Sequence, residues 1–260
     1  MRFRRKITKE KIDEKIKRFI SRFGVIPEIK EIQKIEKQAE LKDKFFDVFF
    51  KISFAKGAEK DKLISEAKKI ANKIPLFKGW PEKSVKFWDV EAFAWRTKIP
   101  SHVRLFIRKE LLKRIPLGGI NLSLGPGSYP YIEDSVLVDI SPEMLKAVEP
   151  TVKFTRKIVH DLEKGKLPFK DNSFDTVTMV FVVNYLSKLP FKEIYRVLKK
   201  KGKLIIVQSA KMLDDWYVKQ EKKQYSASEL KKLLADAGFK AKVEKKKVKR
   251  TKLVFIEGVK

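Results

Sequence analysis

The sequence at residues 120–130 reads Ile-Asn-Leu-Ser-Leu-Gly-Pro-Gly-Ser-Tyr-Pro. A short apolar run breaks here into a turn with two glycines, and residues 136–140 repeat the pattern as Val-Leu-Val-Asp-Ile. This arrangement predicts a strand, a tight loop that lets a nucleoside approach the backbone, and a second strand. The acid that ends the second strand, Asp139, is placed to accept hydrogen bonds from ribose hydroxyls.

Later segments continue the alternation of apolar runs and polar turns. Residues 158–162 read Ile-Val-His-Asp-Leu and end a further predicted strand in Asp161. Residues 176–185 are almost continuously apolar, and residues 202–207 read Gly-Lys-Leu-Ile-Ile-Val. Strands that alternate with helical or loop segments predict an α/β fold with a mainly parallel sheet.

Taken in this order, these segments resemble the class I S-adenosylmethionine-dependent methyltransferases, from roughly Arg104 to the C-terminus. The resemblance implies a Rossmann-like sheet, mostly parallel with an antiparallel final strand, and helices on both faces. It also implies S-adenosylmethionine as the cofactor. Gly125 and Gly127 would let the protein backbone approach the cofactor, Asp139 would bind the ribose, and Asp161 and Leu162 would face the adenine. The full set of implied cofactor-binding residues is Ser123, Leu124, Gly125, Pro126, Gly127, Tyr129, Asp139, Ile140, Asp161, Leu162 and Val182.

Two positions depart from the family pattern. The family usually has an acid two residues before the first loop glycine, where this chain has Ser123, and a third loop glycine where this chain has Tyr129. A serine hydroxyl places no charge opposite the cationic sulfonium and amino group, so we expect a lower cofactor affinity. Tyr129 is expected to pack against the methionine end of the cofactor.

A dinucleotide site fits these residues less well. Its third glycine would fall at Pro130, and Asp139 lies 14 residues after Gly125, whereas the nicotinamide-cofactor pattern requires about 20.

The catalytic hypothesis concerns Asn184 and Tyr185, which end the apolar run. Methyltransferases that act on exocyclic base amines carry an Asp or Asn here, followed by an aromatic residue, although their intervening Pro-Pro is missing from this chain. An amide oxygen could orient an amino group toward the methyl, and Tyr185 could stack on a base. The alternative, given equal weight, is that Asn184 caps a turn and Tyr185 packs in the core.

Aromatic residues before the sheet have two interpretations. Trp88 and Trp95 are predicted either to fill a core or, by the resemblance, to form a lid over the cofactor and substrate. His102 and His160 are interpreted as structural, with His160 the nearer to the predicted site because it precedes Asp161.

Composition excludes several kinds of site. The 260 residues contain no cysteine and two histidines, so disulfides and thiolate metal sites are excluded and no metal is expected. The chain has neither an apolar run of about 20 residues nor the apolar core of a signal peptide, so a cytoplasmic protein without a membrane partner is expected. Abundant Lys and Glu with few Asn and Gln favour a thermophilic source.

The net charge of +28 predicts a phosphate-rich partner. Residues 1–115 contribute +16 and residues 116–260 contribute +12, so the charge does not come from a detachable basic tail. We therefore expect RNA, ribosomal or transfer, as the partner. The predicted RNA-binding residues are Arg4, Arg5, Lys6, Lys245, Lys246, Lys247, Lys249 and Arg250.

Helical periodicity fills the first part of the chain. Apolar spacing predicts helices around Ile12–Ile20 and over 29–54 and 58–74, and prolines 81 and 100 are expected to start two more, over 82–95 and 101–115. Near the C-terminus, Ser226 and Glu229 form a capping box for a helix that ends at Gly238. Two strands are predicted after it, at 240–244 and 252–259. The predicted domains are a basic helical domain over 1–100 and an S-adenosylmethionine-binding methyltransferase domain over 101–260.

These observations predict an S-adenosylmethionine-dependent RNA methyltransferase that modifies an exocyclic amine of cytosine or adenine. Two alternatives remain open. The first is a small-molecule or protein methyltransferase, and the second is a non-catalytic RNA-binding or assembly protein on a methyltransferase fold.

Overall fold

The structure is a computed structural model that describes residue 14 and residues 29–149, 153–209 and 215–260. Apart from residue 14, the predicted helix around Ile12–Ile20 lies outside the described residues, and so do the predicted RNA-binding residues Arg4, Arg5 and Lys6. The chain divides into two compact units, residues 1–79 and 80–260. The domain boundary predicted from the sequence lies between residues 100 and 101.

The described part of the N-terminal unit is a helical hairpin. Helix α1 spans Ile29–Ile52 and helix α2 spans Gly57–Ala71, which confirms the two helices predicted there. The hairpin is held by aromatic side chains, with the Phe45 and Phe77 ring centroids 4.9 Å apart and both rings fully buried.

Three helices open the second unit. Helix α3 spans Ser84–Glu91, helix α4 spans Trp95–Lys98 and helix α5 spans Ser101–Leu112. Pro100 directly precedes α5 as predicted. The single helix predicted over 82–95 is wrong, because Phe93 N and Ala94 N turn back to the carbonyls three residues earlier and close the first helix before Trp95. Pro81 also does not start α3, whose N-cap is Lys83.

A seven-stranded sheet forms the core of this unit, in the order β3-β2-β1-β4-β5-β7-β6. The first five strands in this order are parallel, and β7 runs antiparallel to both β5 and β6. The predicted Rossmann-like fold is therefore confirmed. The strands are β1 (Asn121–Leu124), β2 (Ser135–Asp139), β3 (Phe154–Val159), β4 (Phe174–Val180), β5 (Leu198–Gln208), β6 (Lys240–Val248) and β7 (Thr251–Val259).

The α-helices that the structure describes between the strands are few and short. They are α6 (Pro142–Lys146), α7 (Phe191–Val197), α8 (Asp215–Val218) and α9 (Ala227–Asp236). Ser226 caps α9 by accepting a hydrogen bond from Glu229 N at 3.1 Å, as the capping box predicted. The described residues between β1 and β2, and between β3 and β4, form loops without a helix.

Strand order positions the site. The chain leaves β1 toward β2 on one side and β4 lies on the other side of β1, so the order of the strands reverses between β1 and β4. Ligands of open α/β sheets bind outside the carboxyl ends of the strands at such a switch point.

An ion-pair network joins α5 to the far edge of the sheet. The Glu110 carboxylate is 4% exposed and lies 2.5 Å from Lys113 Nζ, 3.0 Å from Arg114 Nη1 and 2.8 Å from Lys246 Nζ on β6. Burial alone would raise the pKa of Glu110, but the hydrogen bonds from these three cations outweigh burial and lower it to about 2. The ionised carboxylate therefore stabilises the fold.

We expect Glu110→Gln to lower the free energy of unfolding at pH 7 by up to about 3 kcal/mol, because the pKa is depressed in the folded state. This contribution is complete above the unfolded pKa near 4.5 and is lost as the pH falls toward 2. Urea unfolding at pH 7, 4.5 and below should therefore show wild type and variant converging in acid. Glu133→Gln removes an exposed pair with Arg108 and serves as the control, with an expected cost below about 1 kcal/mol. A constant gap at all pH values would contradict the assignment.

Candidate active site

A cavity of about 300 Å³ opens at the carboxyl ends of β1 to β4. The structure brings most of the predicted site residues together in its lining: Gly125, Pro126, Gly127, Asp139, Ile140, Asp161, Leu162, Val182, Tyr185, Trp88 and Trp95. Four predicted residues, Ser123, Leu124, Tyr129 and Asn184, are not among the lining residues. No sequence motif marked the other lining residues, which are Lys83, Ser84, Val85, Lys86, Ile99, Tyr131, Met144, Glu163, Val180, Phe181, Leu186 and Lys222.

The glycine loop after β1 is shaped for close approach. Gly125 and Gly127 have φ values of +62° and +59°, a backbone conformation that L side chains rarely adopt. A Cβ on Gly125 would lie 2.4 Å from Val182 Cγ2, and one on Gly127 would lie 2.7 Å from Trp95 Nε1. Only glycine allows the loop to pack this closely against both walls of the cavity.

Asp139 fixes the loop from the end of β2. Its carboxylate oxygens accept hydrogen bonds from Gly127 N and Ser141 N, both at 3.0 Å. Burial raises the pKa of Asp139 to about 6, although the backbone donors of Ser141, Gly127 and Ile140 act in the opposite direction. Each carboxylate oxygen has a second acceptor position, so the contacts within the protein leave capacity for ribose hydroxyls.

A second acid ties helix α3 to Ser141, at the start of α6. Asp89 is fully buried, accepts a hydrogen bond from Ser141 Oγ at 2.8 Å and pairs with Lys86 Nζ at 3.1 Å. Ser141 Oγ in turn accepts from Met144 N and caps α6. This chain of contacts sets the position of α3 over the cavity.

An aromatic wall, formed by Trp88, Trp95 and Tyr185, faces the glycine loop. The Trp88 ring meets Tyr185 edge to face at 4.8 Å and Trp95 at 5.5 Å. Trp95 and Tyr185 are 8% exposed. The two interpretations of the tryptophans, core filling and cavity lid, are thus not exclusive in this structure, since the rings are packed and also line the cavity.

A buried acid supports this wall from behind. Glu91 on α3 accepts hydrogen bonds from Trp216 Nε1 at 3.0 Å and from the Tyr217 hydroxyl at 2.5 Å, both on α8. The Tyr217 ring also contacts Trp95. No sequence motif marked these residues, because the contact joins positions more than 120 residues apart.

Ser123 and Tyr129, the two departures from the family pattern, are engaged elsewhere. Ser123 Oγ lies 3.1 Å from Thr178 Oγ1 on β4. The Tyr129 ring lies beneath the Arg104 guanidinium, 4.6 Å from ring centroid to Cζ. Their predicted contacts with the cofactor stay predictions.

Asn184 is also engaged within the protein. Its amide oxygen accepts a hydrogen bond from Gln208 Nε2 at 3.0 Å, and its amide nitrogen donates to Glu221 at 3.2 Å. The backbone N–H groups of Lys222 and Lys223 donate hydrogen bonds to the backbone carbonyl of Asn184. Asn184 thus anchors the segment after α8, and its catalytic role stays a prediction that these contacts do not favour. Tyr185, its neighbour, does line the cavity.

The remaining predicted residues lie away from the cavity lining. Lys245, Lys246 and Lys247 lie in β6, and Lys249 and Arg250 form its turn into β7. Lys246 is paired with Glu110 and Glu244. His102 lies on α5, and His160 follows β3 with its backbone N bonded to Asp139 O. The described residues contain no group of three His, Asp or Glu side chains placed to hold a metal ion.

The cavity residues fit S-adenosylmethionine. The glycine cradle admits a ligand close to the backbone, and the buried Asp139 carboxylate is an acceptor for paired hydroxyls. Asp161 and Leu162 line the cavity beyond the end of β3, where the resemblance places the adenine.

Comparison with known proteins agrees with this geometry. Residues 122–206 match the family described as "Methyltransferase domain". Residues 122–206 form a methyltransferase domain, and the sheet has the class I fold. The predicted family is therefore confirmed, and S-adenosylmethionine is the cofactor that this domain implies. The domain is similar to a SAM-dependent methyltransferase from Aquifex aeolicus, with 21% identity, a TM-score of 0.52, and 66% of this chain and 97% of that chain covered.

Curated relatives match over a shorter stretch. A demethylmenaquinone methyltransferase from Tropheryma whipplei is 37% identical over 73 residues, which is 27% of this chain and 30% of that protein. A ubiquinone/menaquinone biosynthesis C-methyltransferase from Rickettsia typhi is 34% identical over 123 residues, or 43% of this chain and 44% of that protein. The chain thus covers less than half the length of these relatives.

We expect Gly127→Ala to weaken S-adenosylmethionine binding at least about tenfold, because the new Cβ must displace the Trp95 indole as well as adopt a strained φ. Gly118→Ala is the matched control, since Gly118 has a φ of +68° and no atom within 4 Å of its added Cβ. Calorimetry should show unchanged affinity for the control. Equal affinities in the two variants would refute the cradle.

Cofactor affinity should also depend on pH through Asp139. Its pKa of about 6 means that the carboxylate loses its charge below pH 6, and the ribose hydroxyls then lose their ionised acceptor. The dissociation constant should rise about tenfold per pH unit below this value for one linked proton. Titrations at pH 7.5, 6 and 5 test this, and Asp139→Asn should bind weakly with a flat profile between pH 5 and 7.5. A flat profile in the wild type would remove Asp139 from the ribose.

Proposed function

We propose that this protein is an S-adenosylmethionine-dependent methyltransferase whose substrate is a small molecule with a flat, mainly apolar ring. The observation that carries this proposal is the aromatic wall of Trp88, Trp95 and Tyr185 on the cavity that holds the glycine cradle. Flat rings bind such surfaces by stacking and edge contacts.

Cavity size supports a small substrate. A volume of about 300 Å³ is at the lower end of ligand pockets, which run from about 300 to 1,000 Å³. The cofactor would fill much of this space, so only a compact reacting group fits beside it. Two relatives are named for quinone biosynthesis, as a demethylmenaquinone methyltransferase and a C-methyltransferase, and a quinone ring is a group of this size and flatness.

When bound, S-adenosylmethionine supplies an electrophilic methyl group on a good leaving group. The residues of the chain would contribute placement and the exclusion of water. Asp139 and the glycine loop would hold the nucleoside, and the aromatic wall would orient the substrate ring. The Glu91 contacts to Trp216 and Tyr217 keep that wall in place.

An RNA substrate is the second candidate, and the net charge of +28 favours it. In the described part of the chain, Lys245, Lys247, Lys249 and Arg250 are exposed on β6 and its turn. Phosphate contacts at such residues would make RNA binding weaken steeply with salt, with a log–log slope of several units.

One assay separates the two candidates. Methyl transfer from labelled S-adenosylmethionine should be measured with a naphthoquinol as the acceptor and, in parallel, with total RNA as the acceptor. We expect transfer to the quinol, and we expect Trp88→Leu to lower kcat/KM at least about tenfold through lost ring contacts. Phe93→Leu is the control, because Phe93 lies just after α3 and is 53% exposed. Transfer to RNA alone, with a steep salt dependence, would replace the small-molecule proposal by the RNA candidate.

A further inference from the structure

Tyr131 carries a buried hydroxyl in the cavity wall. The residue is 5% exposed and lines the cavity. Its hydroxyl oxygen has no hydrogen-bond partner among the residues that the structure describes. A buried polar group without a partner is destabilising, so its presence beside a ligand cavity points to a partner on the ligand.

The loop that carries Tyr131 is held in place on both sides. Tyr131 lies four residues after Gly127, in the loop that joins β1 to β2 without a helix. Ser135 Oγ donates to Ile132 O at 3.0 Å, and Glu133 pairs with Arg108 at 2.6 Å. The Tyr131 ring also packs edge to face on Tyr129, with centroids 5.2 Å apart. These contacts fix the phenol at the cavity before any ligand arrives.

The charged amino acid end of the cofactor needs polar partners near this loop. Ser123, which stands where the family usually has an acid, is bonded to Thr178 and is not among the lining residues. Three of the charged lining groups are already paired within the protein: Lys86 with Asp89, and Glu163 and Lys222 with each other. Among the described residues of the glycine loop that line the cavity, Tyr131 has a side-chain polar atom without a hydrogen-bond partner.

We propose that the Tyr131 hydroxyl donates a hydrogen bond to the carboxylate of the methionine part of S-adenosylmethionine. This inference rests on the proposed function, since it concerns the same cofactor. A phenol donor and a carboxylate acceptor form a charge-assisted hydrogen bond, which is stronger than a neutral one. Burial raises the pKa of Tyr131, which keeps the phenol protonated as a donor.

The test compares two ligands on three proteins, which are the wild type, Tyr131→Phe and the control Tyr195→Phe. Tyr131→Phe removes only the hydroxyl, and decarboxylated S-adenosylmethionine lacks only the carboxylate. By calorimetry, Tyr131→Phe should lower the affinity for S-adenosylmethionine about 10- to 100-fold and leave the affinity for the decarboxylated ligand unchanged. Tyr195→Phe, which removes a hydroxyl from a ring packed on Phe239 away from the cavity, should bind both ligands like wild type.

Thermal stability provides a second measurement, because the change that weakens cofactor binding should stabilise the ligand-free protein. Removing an unsatisfied buried hydroxyl should raise the melting temperature of the ligand-free protein by about a few degrees. A residue with a merely structural role would lose stability on the same change.

Each outcome decides the inference. Equal S-adenosylmethionine affinity in wild type and Tyr131→Phe would overturn the contact, and so would an equal loss for both ligands, which would place the effect at the nucleoside. Wild-type protein that binds neither ligand would overturn the proposed function and this contact together.

Discussion

The Asp139 carboxylate accepts one hydrogen bond from Gly127 N and one from Ser141 N, each at 3.0 Å. These two contacts join the glycine loop after β1 to the start of α6 after β2, and so define the floor of the cavity. Burial makes ionised Asp139 costly and raises its pKa to about 6, so the carboxylate is still mostly ionised at neutral pH. A carboxylate kept in this state gains most from added donors such as ribose hydroxyls.

The rest of the site is arranged around this floor by residues before the sheet. Asp89 on α3 binds Ser141, the same residue that donates to Asp139. Helix α3 also carries Trp88 into the aromatic wall and Glu91 into the contacts with α8. One short helix thereby couples the nucleoside side of the cavity to the wall that would face a substrate.

The connection between β1 and β2 is unusually short for parallel strands. A loop of ten residues, 125–134, joins the adjacent parallel strands β1 and β2, where such connections usually take a dozen or more residues and a helix. The loop can be this short because Tyr129 and Tyr131 fill the space with ring packing, and because Arg104 and Arg108 from α5 bind its outer side. The same packing delivers the Tyr131 phenol to the cavity.

The sequence alone determined the strand–glycine–strand–acid order, and with it the methyltransferase fold, the glycine cradle and Asp139. These features depend on local hydrophobic patterning and on residues adjacent to strand ends, which a linear sequence displays directly. The capping box at Ser226 was predictable for the same reason.

Only the tertiary structure decided which polar groups are free for ligands. Asn184 ended an apolar run as a catalytic residue would, yet Gln208 and Glu221 bind its amide. Ser123 on β1 is hydrogen-bonded to Thr178 on the neighbouring strand β4, and Lys246 on β6 is paired with Glu110 on α5. No motif marked Tyr131. Among the described residues of the glycine loop that line the cavity, its hydroxyl is the side-chain polar group without a hydrogen-bond partner. Whether each of these groups is satisfied depends on hydrogen bonds between residues far apart in the chain, and no local sequence pattern shows such contacts.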